Sequence, residues 1–95
     1  MAANPDEEWK VKILPRAQKE IDQFPDSVRP EALQAIQDLA EGPFPPDSIL
    51  MRGYSHSRRI RFHGNQYRIL YHVSESQKTV YVFRVRPRAD AYRGL

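Results

Sequence analysis

The sequence predicts a small α+β domain: an N-terminal strand, an antiparallel helical hairpin and a three-strand antiparallel meander, with the helices packed on one face of a four-stranded sheet. Three observations predict it. Two short amphipathic helical patterns occupy the first half of the chain, three segments of strand periodicity fill the second, and one further strand precedes the helices. At 95 residues the chain makes a single domain over 1–95, which buries only somewhat more than about 60% of its unfolded surface. A site should therefore be an open groove and not an internal cavity.

The first strand is Trp9-Lys10-Val11-Lys12-Ile13-Leu14, where apolar and basic residues alternate and Trp9, Val11 and Ile13 face inward. Pro15 ends it and preorganises the first turn of a helix, whose stripe is Ala17, Ile21 and Phe24. After Pro25, Asp26 or Ser27 can cap a second helix carrying the stripe Val28, Ala32, Leu33, Ile36, Leu39 and Ala40, with Gly42 and Pro43 as stop signals. Residues 43–50 then read as a linker loop, since Gly42-Pro43-Phe44-Pro45-Pro46-Asp47 continues neither periodicity.

The hairpin that follows is the most informative stretch. Ser57-Arg58-Arg59-Ile60-Arg61-Phe62 and Gln66-Tyr67-Arg68-Ile69-Leu70-Tyr71-His72-Val73 flank a two-residue Gly64-Asn65 loop. That loop sets His63 opposite Gln66, Arg61 opposite Arg68 and Arg59 opposite Leu70. One face then carries Arg59, Arg61, His63, Gln66, Arg68 and His72, and the other carries Ile60, Phe62, Tyr67, Ile69, Tyr71 and Val73. A one-residue slip would drive the arginines into the core. After the polar turn Ser74 to Lys78, Thr79-Val80-Tyr81-Val82-Phe83-Arg84-Val85-Arg86 is apolar on both faces for most of its length, as in a central strand. Pro87 ends it and leaves 88–95 as a C-terminal tail.

Charge is divided unevenly along the chain. Residues 1–50 hold five basic and ten acidic residues, net −5, while residues 51–95 hold ten basic, nine of them arginine, and two acidic, net +8. Two arginines facing each other across a hairpin repel, so the pattern implies an oriented polyanion partner. The bland alternative is a solvated face whose guanidinium groups pair weakly with carboxylates. Only Glu75 and Asp90 are available in that half of the chain, which favours the functional reading for Arg59, Arg61 and Arg68. Arg58, Arg86 and His63 flank the face as further candidate phosphate contacts, although Arg86 can also mark a strand end and His63 a plain exposed side chain.

Other chemistries have little support. There is no cysteine, so disulfides and thiolate chemistry are excluded. His56, His63 and His72 lack metal-ligand spacing, and no P-loop or Ser/His/Asp set can be named, so neither a metal nor a cofactor is expected. No apolar run approaches the roughly 18 residues of a membrane span. The acidic segment 1–8 is expected to be a flexible N-terminus without the basic start or apolar core of a secretory signal, which makes the cytoplasm the expected location.

The order of elements, together with Arg59-Ile60-Arg61, Tyr67-Arg68-Ile69-Leu70-Tyr71 and Arg86-Pro87-Arg88-Ala89-Asp90-Ala91-Tyr92, resembles the RelE/ParE superfamily of bacterial and archaeal toxins from Trp9 to Tyr92. The resemblance implies a RelE-like fold and a type II toxin neutralised by a cognate antitoxin in a hetero-oligomer. The RelE branch cleaves mRNA in the ribosomal A site; the ParE branch poisons DNA gyrase without the RNase residues. Carried over residue by residue, the family's site falls on Arg61, Arg68, Arg88 and Tyr92 as catalytic residues, with Arg59 beside them, and all five positions are filled. That occupancy favours the RelE branch, with a ParE-like gyrase inhibitor or a degenerate antitoxin- or nucleic-acid-binding module as alternatives. Some members carry lysines at the positions of Arg59 and Arg61, one being the proposed general base. A guanidinium hardly ever gives up its proton, so here the five residues imply a phosphate clamp in place of an acid-base pair.

Overall fold

A computed structural model describes residues 8–95; apart from Glu8, the expected flexible N-terminus lies outside the described residues. The elements are β1 (Lys10–Ile13), α1 (Pro15–Asp22), α2 (Arg29–Asp38), β2 (Ile49–Leu50), β3 (Ser57–Phe62), β4 (Tyr67–Ser74), β5 (Thr79–Pro87) and a closing 3₁₀ turn (Arg88–Asp90). The sheet has five strands, not the expected four, in the order β1-β5-β4-β3-β2. The extra strand comes from the end of the linker, where Ile49 and Leu50 pair with Arg59 and Arg58. Two residues following a proline-rich loop give no readable alternation. β1 pairs in parallel with β5 and all other pairs are antiparallel, so the helical hairpin is the crossover between opposite edges of the sheet.

Both helices cover one sheet face. Ala17, Ile21, Val28, Ala32, Ile36 and Leu39 pack against Ile60, Phe62, Ile69, Tyr71, Val80, Val82 and Val85 in the main core. Burying one such aliphatic side chain contributes about 2 kcal/mol. Leu33 departs from the expected stripe and is 42% exposed, because Val28, Ala32, Ile36 and Leu39, with Ala35 beside them, already define the sheet-facing row. Neither Asp26 nor Ser27 caps α2. The Pro25 carbonyl accepts from the Val28 and Arg29 amides at 2.9 and 3.0 Å, so a preceding turn satisfies the first donors, and Asp26 instead accepts from the Arg29 guanidinium.

The linker is pinned to the core along its length. The buried Tyr71 hydroxyl donates to the Pro43 carbonyl at 2.7 Å, Arg58 Nε donates to Ser48 Oγ at 3.0 Å, and the Arg58 guanidinium stacks over Phe44. Burial raises the Tyr71 pKa above its ordinary value, against the opposing influence of Ser48 and Arg58. A second, smaller cluster forms on the other sheet face, where Leu70 and Ala91 are fully buried with Met51 and with Phe83 packed alongside. This cluster fastens the C-terminal tail across the sheet.

A register shift between Leu70 and Tyr71 makes Phe83 an extra residue in β5, since Leu70 pairs with Arg84 and Tyr71 with Val82. β1 stops pairing at Val82, which leaves the next stretch of β5 without a strand neighbour on that side. Glu20 of α1 covers it. Its carboxylate accepts from Val85 N at 3.0 Å, from Arg84 Nε and Nη2 at 3.1 to 3.3 Å, and pairs with Arg86 Nε at 3.2 Å. Arg84 is 4% exposed, so removing its only carboxylate partner among the described residues strands a buried charge. Glu20→Ala is expected to lower the unfolding free energy by about 3 kcal/mol, read as a fall in the urea midpoint. An unchanged midpoint contradicts the assignment.

Candidate functional site

The geometry of the cationic face begins at the β3–β4 turn. His63, Gly64 and Asn65 take positive φ values of 53°, 62° and 80°, and the Gln66 amide closes the turn on the His63 carbonyl at 3.2 Å. Such left-handed two-residue loops match the twist of the strands they join. The strands leave the turn with Phe62 opposite Tyr67, Arg61 opposite Arg68 and Arg59 opposite Leu70, the register expected from the sequence.

Arg68 is the centre of the face. It is 8% exposed, and its Nη1 donates to the Asn65 and Tyr67 carbonyls at 2.9 and 3.2 Å, so the turn itself holds the guanidinium in place. Burial lowers its pKa from the ordinary arginine value, and the nearby charge of Arg59 adds to this; Tyr92 opposes the shift, and Arg61 and Arg88 reinforce it. The tail supplies two of these neighbours. The Arg88 amide donates to the Gln66 carbonyl at 2.8 Å, and Ala91 is buried under Leu70 and Met51, so Arg88 and the exposed Tyr92 are held on either side of an anchored residue.

The structure thus brings Arg59, Arg61, Arg68, Arg88 and Tyr92 together. Among the described residues, no carboxylate forms an ion pair with any of the four arginines. Such an array can bind an anion with several guanidinium groups at once, each offering a planar fork of donors.

The other three candidates have protein partners elsewhere. Arg58 has the opposite strand parity to Arg59 and is bound to Ser48 and Phe44 in the linker. Arg86 is paired with Glu20, and its Nη1 donates to the Arg93 carbonyl at 2.9 Å. His63 leaves the strand alternation at its positive φ, and its Nδ1 pairs with Glu31 of α2. Sequence reasoning missed the supports of the site: Glu20, the Asn65 carbonyl, Met51 and Ala91. One signal pointed to the last two, namely Leu70, an apolar residue on an otherwise polar face that something had to cover.

A helical hairpin on one face of a mixed five-stranded sheet matches the RelE-like fold. The isolated E. coli RelE toxin is 24% identical, with a TM-score of 0.73 over 83% of this chain and 83% of that one. The toxin-antitoxin complex RelBE2 from Mycobacterium tuberculosis contains a chain that is 22% identical, with a TM-score of 0.73 over 85% of this chain and 99% of that one. A YoeB/ParE toxin from Agrobacterium tumefaciens is 18% identical, with a TM-score of 0.69 over 83% of this chain and 98% of that one. No curated protein sequence matches at a significant level. Residues 11–92 match the family model of the ParE toxin of the type II toxin-antitoxin system, parDE, and the chain belongs to that family, within the RelE/ParE superfamily.

The facing arginines act against folding. Arg61 is exposed and lies opposite Arg68, so Arg61→Gln should remove a like-charge repulsion at little packing cost. The variant is expected to be more stable by about 0.5 kcal/mol in urea unfolding at low salt, with the gain shrinking as salt is added. Lower stability at every salt concentration would show that Arg61 has a structural role instead.

Proposed function

We propose that the chain is an endoribonuclease that cleaves mRNA on the ribosome and so stops translation, acting in the cytoplasm and restrained by a cognate antitoxin in a toxin-antitoxin hetero-oligomer. The carrying observation is the convergence of Arg59, Arg61, Arg88 and Tyr92 on the buried Arg68 without a neutralising carboxylate among the described residues. The antitoxin is supported by the family and by a fold relative that was solved as a toxin-antitoxin complex.

RNA brings its own nucleophile. The ribose 2′-oxygen attacks the adjacent phosphorus, a five-coordinate phosphorane forms, and the bond to the 5′-oxygen breaks to leave a 2′,3′-cyclic phosphate and a 5′-hydroxyl. The 2′-proton passes to solvent and the 5′-oxygen gains one. No metal is needed for the extra negative charge, because Arg61 and Arg68 clamp the scissile phosphate and stabilise the phosphorane. Arg59 holds a neighbouring phosphate, Arg88 neutralises the leaving oxygen, and Tyr92 stacks on a base or orients the 2′-hydroxyl. Neither arginine nor tyrosine accepts a proton readily at neutral pH. The ribosome therefore supplies in-line geometry for the substrate, and free RNA is a poor one.

That same shortage of a proton acceptor, together with membership of a family described by its ParE toxin, favours one second reading: a non-catalytic inhibitor that docks the arginine face on DNA gyrase. Primer extension on translated mRNA after expression, run beside a gyrase supercoiling assay, separates the two. Cuts inside coding sequences that require translation are expected, falling at least about a hundredfold in Arg68→Ala and Arg61→Ala while both variants stay folded. Inhibited supercoiling without cuts establishes the second reading, and full toxicity of both variants overturns the site.

A further inference from the structure

The groove where β2, the loop after it and the C-terminal tail meet adjoins the clamp described above and shares Arg59 and Tyr92 with it. It encloses about 430 Å³ and is lined by Ile49, Leu50, Tyr54, Tyr92 and Leu95, together with Arg59. Those five apolar and aromatic side chains are 43% or more exposed, a large unpaired surface for a 95-residue protein.

Two features mark it as a built site. Arg59 lines the groove, and its buried Nη1 has no hydrogen-bond partner among the described residues, so this guanidinium keeps a donor without an acceptor. Tyr54 is fixed by a tight loop: its amide donates to the Met51 carbonyl at 3.1 Å, its carbonyl accepts from the Ser57 amide at 3.0 Å, and Gly53 before it has a φ of 82°, which residues with a Cβ rarely adopt. The volume suits one planar heterocycle with its sugar. Arg59 also neighbours Arg68, so the groove is continuous with the proposed phosphate clamp.

We infer that this groove is a nucleobase slot, with Tyr54 and Tyr92 as its aromatic surfaces, Leu50 and Leu95 as apolar walls, and Arg59 as the donor to an acceptor on the base. The inference rests on the reading of the arginine face as an RNA site and adds to it a base preference at the cleaved step. Two tyrosines and an unpartnered guanidinium donor suit a stacked base with ring and carbonyl acceptors. An acidic, apolar peptide segment is the competing occupant.

The test measures binding of the full chain to a 2′-O-methyl RNA trinucleotide, which cannot be cleaved, and to three versions each lacking one base. One abasic version should bind about tenfold more weakly than the intact trinucleotide. Tyr54→Ala should lower the affinity for the intact trinucleotide to that of this version, while Tyr54→Phe keeps the preference. Leu50→Ala is a second variant, expected to reduce the preference in the same direction. Equal affinity of the wild type for all four oligonucleotides, with salt-dependent binding retained, overturns the slot and leaves the phosphate clamp standing. A tenfold preference that survives both Tyr54→Ala and Leu50→Ala also overturns it. If the same variants instead lose affinity for an acidic, apolar peptide, the groove belongs to a protein partner. Absence of salt-dependent binding to any of the four overturns the RNA reading itself.

Discussion

The register of the β3–β4 hairpin is the constraint on which the rest depends. Three consecutive residues of positive φ, His63, Gly64 and Asn65, place Arg61 opposite Arg68, and the Asn65 carbonyl holds the Arg68 guanidinium. The same register turns Ile60, Phe62, Ile69 and Tyr71 toward the helices. A slip by one residue would exchange the two sets, burying guanidinium groups and exposing the core. Core formation therefore protects the geometry of the cationic face, even though that face contributes repulsion.

Charge is sorted by reach from the helices, which neutralise the arginines at the β5 side of the cationic face and leave the others free of carboxylates among the described residues. Glu20 of α1 neutralises Arg84 and Arg86, which lie on the same sheet face as Arg68, and Glu31 of α2 binds His63. Further from the helices, Arg59, Arg61, Arg68 and Arg88 have no such partner among the described residues. Burial of Arg68 beside like charges opposes its charged form, and a bound anion reverses that balance. On the proposed reading, a polyanion bound to this array gains contacts that folding has not already satisfied.

Local signals in the sequence were sufficient for the hairpin, both helices and β1, because strand alternation, proline positions and a Gly-Asn loop each act within a few residues. They also put Arg59, Arg61 and Arg68 on one face, whereas Arg88 and Tyr92 were legible only through the family resemblance. What escaped was non-local. Arg86 alternates correctly for the cationic face, yet Glu20, 66 positions earlier, takes its charge. Arg58 sits next to Arg59 in sequence but faces the linker, where Ser48 binds it. β2 is too short to show a period, and the bulge at Phe83 changes the parity of β5 without any glycine to announce it.

If the fold holds the arginine face short of anions, an added anion must stabilise the folded chain. Ligands that bind only the folded chain raise its stability in proportion to the logarithm of occupancy. The unfolding free energy of the full chain should be measured in urea against inorganic phosphate, with chloride at equal ionic strength as the control. Stability should rise with phosphate beyond its rise in chloride, and that excess should be lost in Arg68→Met. An equal response to both salts, or an excess that survives in Arg68→Met, would contradict this.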